Sequence, residues 1–63
     1  MDQACFTIKW LKRGKVVSEL KYSNLIDAKA FASDKFYLFR VRKGATRAEI
    51  VDDAGTIYFS VGQ

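Results

Sequence analysis

The hydrophobic period changes twice along this chain, and that pattern limits the folds open to it. At both ends the period is two, which marks strands; in the middle it is 3.6, which marks a helix. In CFTIKWL, Phe6, Ile8 and Trp10 point one way while Thr7, Lys9 and Leu11 point the other. KVVSELKY also alternates, with Val16, Leu20 and Tyr22 on one side. Near the C-terminus TRAEIVD and TIYFSV repeat the pattern, pairing Ala48 and Ile50 on one face with Ile57, Phe59 and Val61. Between them Leu25, Ala28, Ala32, Phe36 and Phe39 recur at helical spacing. The order strand, strand, helix, strand, strand predicts an α+β fold of ββαββ type. Its two β-hairpins form one antiparallel sheet, with one helix packed on one face. Residues 1–63 make a single domain.

Turn residues place the boundaries. A three-residue loop of Lys12, Arg13 and Gly14 would set Trp10 opposite Val16, Ile8 opposite Ser18 and Phe6 opposite Leu20, with every large apolar group on one face. A two-residue Arg-Gly turn would set Phe6 opposite Lys21 and Ile8 opposite Glu19. The apolar face therefore favours the longer loop. In the second hairpin, Asp52 or Asp53 suits the turn start and Gly55 its left-handed end. A two-residue or a four-residue loop gives the same sidedness there. Ser23 or Asn24 suits a helix N-cap, Asp27 suits the first turn, and Arg40, Arg42 and Lys43 suit the last, before Gly44. One helix from about residue 24 to 43 follows. Its rival is a strand from Phe36 to Arg42, favoured by Phe, Tyr and Val, but neither Gly nor Pro interrupts the run.

Size sets the energetic frame. A core this small supplies about 3–5 kcal/mol unless something staples it. Cys5 is the only cysteine and there is no histidine, which excludes an internal disulfide and a histidine-bearing zinc site. The single thiol and the lack of a signal peptide point to a reducing cytoplasm. No apolar run is long enough to span a membrane. With nearly half the residues hydrophobic the chain folds rather than remaining disordered. With no staple, oligomerisation becomes an expected source of stability.

A helical wheel at 100° per residue puts Leu25, Ala28, Ala32, Phe36 and Phe39 toward the sheet, with Phe31 and Leu38 on a flank. Ile26, Ala30, Tyr37 and Val41 fall on nearly the opposite side, where a helix on a single sheet should be polar. Scattered exposed hydrophobes are ordinary. A stripe of four suggests a homodimer seam, or a groove for another protein's helix or strand.

Charge suggests a second surface. The net charge is +4, ordinary for solubility and also suited to anionic partners. Lys12, Arg13 and Lys15 surround the first hairpin tip; Arg40, Arg42, Lys43 and Arg47 surround the helix end. If the two groups share one edge, with Lys9 and Lys21 between them on the outer sheet face, they form a phosphate-binding surface. Most aromatics fall on core faces, leaving Tyr37 and Tyr58 to stack on bases.

Catalytic chemistry has little to stand on. Asp52 and Asp53 are adjacent carboxylates whose turn-forming role explains them better than metal binding. Cys5 has no histidine to activate it, and Ser18 beside Trp10 reads as packing. GKVVSEL lacks the second glycine and the Lys-Ser or Lys-Thr pair of a phosphate loop. No metal and no cofactor is expected.

The C-terminal third, GATRAEIVDDAGTIYF, taken with the first hairpin and DAKAFA, resembles a class of short uncharacterised bacterial proteins. In that class a helix ends near Gly-Ala-Thr and is followed by a strand, an acidic-glycine turn and a last strand. Gly44, Ala45, Thr46, Asp52, Gly55 and Phe59 are the matching positions. The resemblance implies the ββαββ fold and a bacterial or phage origin, and brings no catalytic or binding residues. The expected function is a small non-enzymatic binding or assembly module, homodimeric or bound to another protein through Ile26, Ala30, Tyr37 and Val41. The alternative is a nucleic-acid-binding module using Lys12, Arg13, Lys15, Arg40, Arg42 and Lys43.

Overall fold

A computed structural model describes residues 5–62. It contains β1 (Phe6–Lys12), β2 (Lys15–Tyr22), α1 (Leu25–Lys43), β3 (Arg47–Val51) and β4 (Ile57–Gly62). The strands form one antiparallel sheet in the order β2-β1-β3-β4. The fold is therefore the α+β ββαββ arrangement expected from the period pattern, and residues 36–42 belong to the helix.

The helix begins and ends where its signals lie. The Asn24 side-chain oxygen accepts from the backbone N–H of Ile26 at 2.8 Å and of Asp27 at 3.1 Å, satisfying two donors that the first turn leaves unpaired. At the other end the Gly44 N–H donates to the Arg40 carbonyl and the Ala45 N–H to that of Phe39. Ala28 and Ala32 are fully buried, so the helix axis comes close to the sheet, and Leu25, Phe31, Phe36 and Phe39 pack around them. Ile8, Trp10, Ala48 and Ile50 complete the core from the two central strands. Lys29 covers the edge strand, its Nζ lying 5.8 Å from the centre of the Phe59 ring.

The first hairpin corrects the expected register. Lys12 faces Lys15 across a two-residue Arg13-Gly14 turn, and both turn residues take left-handed backbone, with φ of 53° and 84°. Such a turn matches the right-handed twist of the strands. Leu11 then faces Val16, but Trp10 faces Ser18, Ile8 faces Leu20 and Phe6 faces Tyr22. Val17 is the extra residue of a β-bulge. The bulge shifts the register by one and returns Leu20 and Tyr22 to the face of Ile8 and Phe6, but Val16, expected there too, stays opposite Leu11 and is exposed, and Val17 packs against the core instead.

The second hairpin uses the same device. The Asp52 N–H donates to the Thr56 carbonyl, enclosing a three-residue loop, Asp53 to Gly55, where two or four residues were expected. Ile50 faces Phe59 and Ala48 faces Val61 as expected, while Ile57 faces Val51 because Tyr58 is bulged. Ile57 thereby leaves the core face and is half exposed.

Candidate functional site

Three regions carry the chemistry, and the topology assigns each a place. β1 and α1 both run toward the end of the domain where the β1–β2 tip lies; the helix N-terminus and the β3–β4 turn lie at the other end.

The tip end is basic. The connection after α1 folds onto β1: the Thr46 N–H donates to the Leu11 carbonyl at 2.7 Å, and the Arg13 N–H donates to Thr46 Oγ1 at 3.3 Å. The Lys12 stem lies over Gly44, where a Cβ would meet its Cε at 3.3 Å. Lys12, Arg13 and Lys15 therefore share one pole with Arg40, Arg42 and Lys43, and all six are exposed. Among the described residues none of the six is in an ion pair, and Glu49 on β3 is held by Arg47 at 2.7 Å. A cleft of about 270 Å³ opens there, lined by Phe36, Arg40, Thr46 and Gly62.

Lys9 and Lys21 do not extend this surface. Lys9 stands between Glu19 on β2 and Glu49 on β3, and Lys21 faces Thr7. The outer sheet face is thus of mixed charge, and the excess of cations is confined to the pole.

The opposite end is acidic and internally bonded. Asp52 Oδ1 accepts from the N–H groups of Ala54 and Thr56, both at 2.9 Å, and Oδ2 accepts from the Tyr58 hydroxyl at 2.9 Å. The Thr56 N–H holds the Asp52 carboxyl below its ordinary value; desolvation, the next largest influence, opposes it, and the Tyr58 hydroxyl and the Ala54 and Gly55 N–H groups add to the lowering. The hydrogen bond to Asp52, and then its negative charge, push the Tyr58 phenol above its ordinary value. The Tyr58 ring meets Phe6 edge to face at 5.4 Å. Tyr58 is half-exposed, with its hydroxyl bonded to Asp52 and its ring against Phe6, and it lies at the end away from the cations. Cys5 borders the same depression, as do Asp52 and Asp53, and Asp52 is already held by the turn N–H groups and the Tyr58 hydroxyl. Among the described residues no group of carboxylates and cysteine is arranged to hold a metal.

The third region is the outward side of α1. Ile26, Tyr37 and Val41 are 76%, 74% and 63% exposed, the highest values of any large hydrophobic side chain described. Ala30 lies exposed between them. No described helix is long and apolar enough to cross a membrane.

Sequence reasoning did not find the Asp52–Tyr58 pair. Its signal was an Asp at a turn start with a Tyr six positions on, which is too common to single out. No family model matches the chain, and no curated protein and no solved structure matches it.

Proposed function

We propose that this chain is a small non-enzymatic assembly module of the cytoplasm that pairs with a second copy through the outward face of α1. The observation that supports this is the stripe Ile26, Ala30, Tyr37 and Val41, whose three large members are the most exposed hydrophobes described. The stripe is self-complementary. When two copies of α1 pack antiparallel about a two-fold axis, Ile26 meets the partner's Val41 and small Ala30 meets the partner's Tyr37. A large residue over a small one lets the helices approach and interlock. Ser33 and Asp34 then flank the axis, with Asp34 already paired to Lys35 at 3.6 Å. Burying this stripe also adds apolar area to a domain whose own core is small.

Sedimentation equilibrium over the micromolar to high micromolar range tests the proposal. The expected result is a monomer–dimer equilibrium that Tyr37→Glu moves to monomer, by placing two carboxylates in an apolar seam. A wild-type chain that stays monomeric at high micromolar concentration ends this reading. A dimer that Tyr37→Glu leaves intact moves the seam elsewhere.

A further inference from the structure

We infer that the basic pole is a binding site for the phosphate backbone of nucleic acid, read without base specificity. The strand order carries the inference. Because β1 is central and α1 returns to the same end, two basic segments distant in sequence become one surface, tied by the Thr46 bonds to Leu11 and Arg13. The pole offers Arg13, Arg40 and Arg42 as planar forks and Lys12, Lys15 and Lys43 as point charges, a mixture suited to phosphate oxygens. Its charge exceeds what the fold needs. The helix C-terminus carries the equivalent of about half a negative charge, which Arg40, Arg42 and Lys43 already outweigh before the hairpin tip adds its own three cations. No carboxylate among the described residues neutralises any of the six.

The shape of the chain favours nucleic acid over a lipid surface. A membrane-surface binder needs apolar side chains on the same face as its cations. Here few exposed apolar side chains stand at the pole, Val41 between Arg40 and Arg42 and Val16 beside Lys15, while Tyr37 lies farther back along the helix and Ile26 at its opposite end. Phe36, which lines the cleft at the pole, is packed against the core, so the contact is mainly electrostatic. Tyr58 is engaged at the other end, and Tyr37 sits about two turns before the helix terminus. Affinity then follows counterion release, with a steep salt dependence and little preference among sequences.

The test is fluorescence anisotropy of a labelled random-sequence duplex of about 20 base pairs, titrated with the whole chain between about 50 and 200 mM salt. Two triple variants are compared, each removing the same charge: Arg13→Gln, Arg40→Gln and Arg42→Gln at the pole, and Lys9→Gln, Lys21→Gln and Lys29→Gln away from it. Circular dichroism checks that both fold. The expected result is that the pole variant loses roughly tenfold or more in affinity and flattens the salt slope by about three, while the distal variant changes far less. Equal losses in both variants overturn the site, since net charge alone then explains binding. No binding by the folded wild type at the lower salt overturns it as well. Binding to vesicles containing phosphatidylserine in place of the duplex assigns the pole to a lipid surface and overturns the nucleic-acid assignment. The sedimentation behaviour is measured separately, so failure here leaves the helix seam untouched.

Discussion

The indole of Trp10 lies flat on the ring of Phe39, with centroids 4.0 Å apart and planes 9° from parallel. The stack joins the centre of the sheet to the last turns of the helix. Phe31 meets the same indole nearly edge-on at 5.9 Å, so Trp10 is wholly enclosed. Its Nε1–H has no acceptor among the described residues, and leaving such a donor unpaired costs about 1–3 kcal/mol.

Two substitutions separate the packing from the orphaned donor. Trp10→Ala empties the core at a cost of about 3–5 kcal/mol, comparable with all that a core of this size supplies, and the expected product is unfolded. Trp10→Phe loses ring area and also removes the unpaired donor, so the two changes offset and the variant folds with a loss of about 1 kcal/mol. Urea denaturation followed by circular dichroism reads both. Equal damage from the two variants would show that the indole N–H is satisfied.

The first turn makes a cleaner prediction. Gly14 has φ of 84°, and a Cβ there would meet nothing within 4 Å. Gly14→Ala therefore tests backbone conformation alone, with an expected loss of about 1 kcal/mol. Arg13 also holds positive φ, 53°, without being glycine. Arg13→Asn places a residue enriched in that conformation and should raise the denaturation midpoint by about 0.5 kcal/mol equivalent. A midpoint unchanged by either substitution would mean that the turn is not the two-residue one.

How much of this was legible follows from how local each signal is. The helix could be read because its cap, its stripe and its terminating glycine lie within one run, Asn24 to Gly44. The outward stripe could be read for the same reason. Loop lengths could not. Period two fixes which residues share a face, but a bulge at Val17 makes a two-residue loop compatible with that face, and a bulge at Tyr58 does the same for a three-residue loop. Loop length and bulge compensate, so the apolar pattern reports only their sum. The strand order was also out of reach, because pairing β1 with β3 joins residues as distant as Thr7 and Val51. The merged basic pole depends on that pairing.

Gly62 closes the last strand on the connection after the helix. Its φ is 91°, and a Cβ would strike the Thr46 carbonyl and approach Phe36 Cζ to 2.7 Å and Arg47 Cα to 3.2 Å. Unlike the substitution at Gly14, Gly62→Ala combines backbone strain with a clash against main chain, and the expected loss is about 2–3 kcal/mol. Thermal denaturation of the two alanine variants side by side checks the order. A Gly62→Ala variant as stable as wild type would show that β4 ends before it reaches Thr46.

The Asp52–Tyr58 hydrogen bond makes stability depend on pH at both extremes, with opposite protonation requirements. Folding lowers the Asp52 pKa, so the folded state prefers the carboxylate. That contribution is fully present above the ordinary carboxylate pKa of about 4 and is lost as pH falls through the depressed folded value. Folding raises the Tyr58 pKa, so the folded state prefers the neutral phenol. That contribution is present below about pH 10 and is lost as pH rises through the elevated folded value. Asp52→Asn removes the acid-side dependence of this pair and brings the Tyr58 titration back toward its ordinary value. Tyr58→Phe abolishes the alkaline limb but leaves the backbone donors to Asp52 and most of the acid limb, since the Thr56 N–H is the largest cause of the Asp52 shift. The measurement is carbon-detected NMR titration of the Asp52 carboxyl and the Tyr58 ring, alongside melting temperature against pH for wild type and both variants. An unshifted Tyr58 titration in wild type, or one that Asp52→Asn does not move, would show that the hydroxyl does not donate to Asp52 in solution.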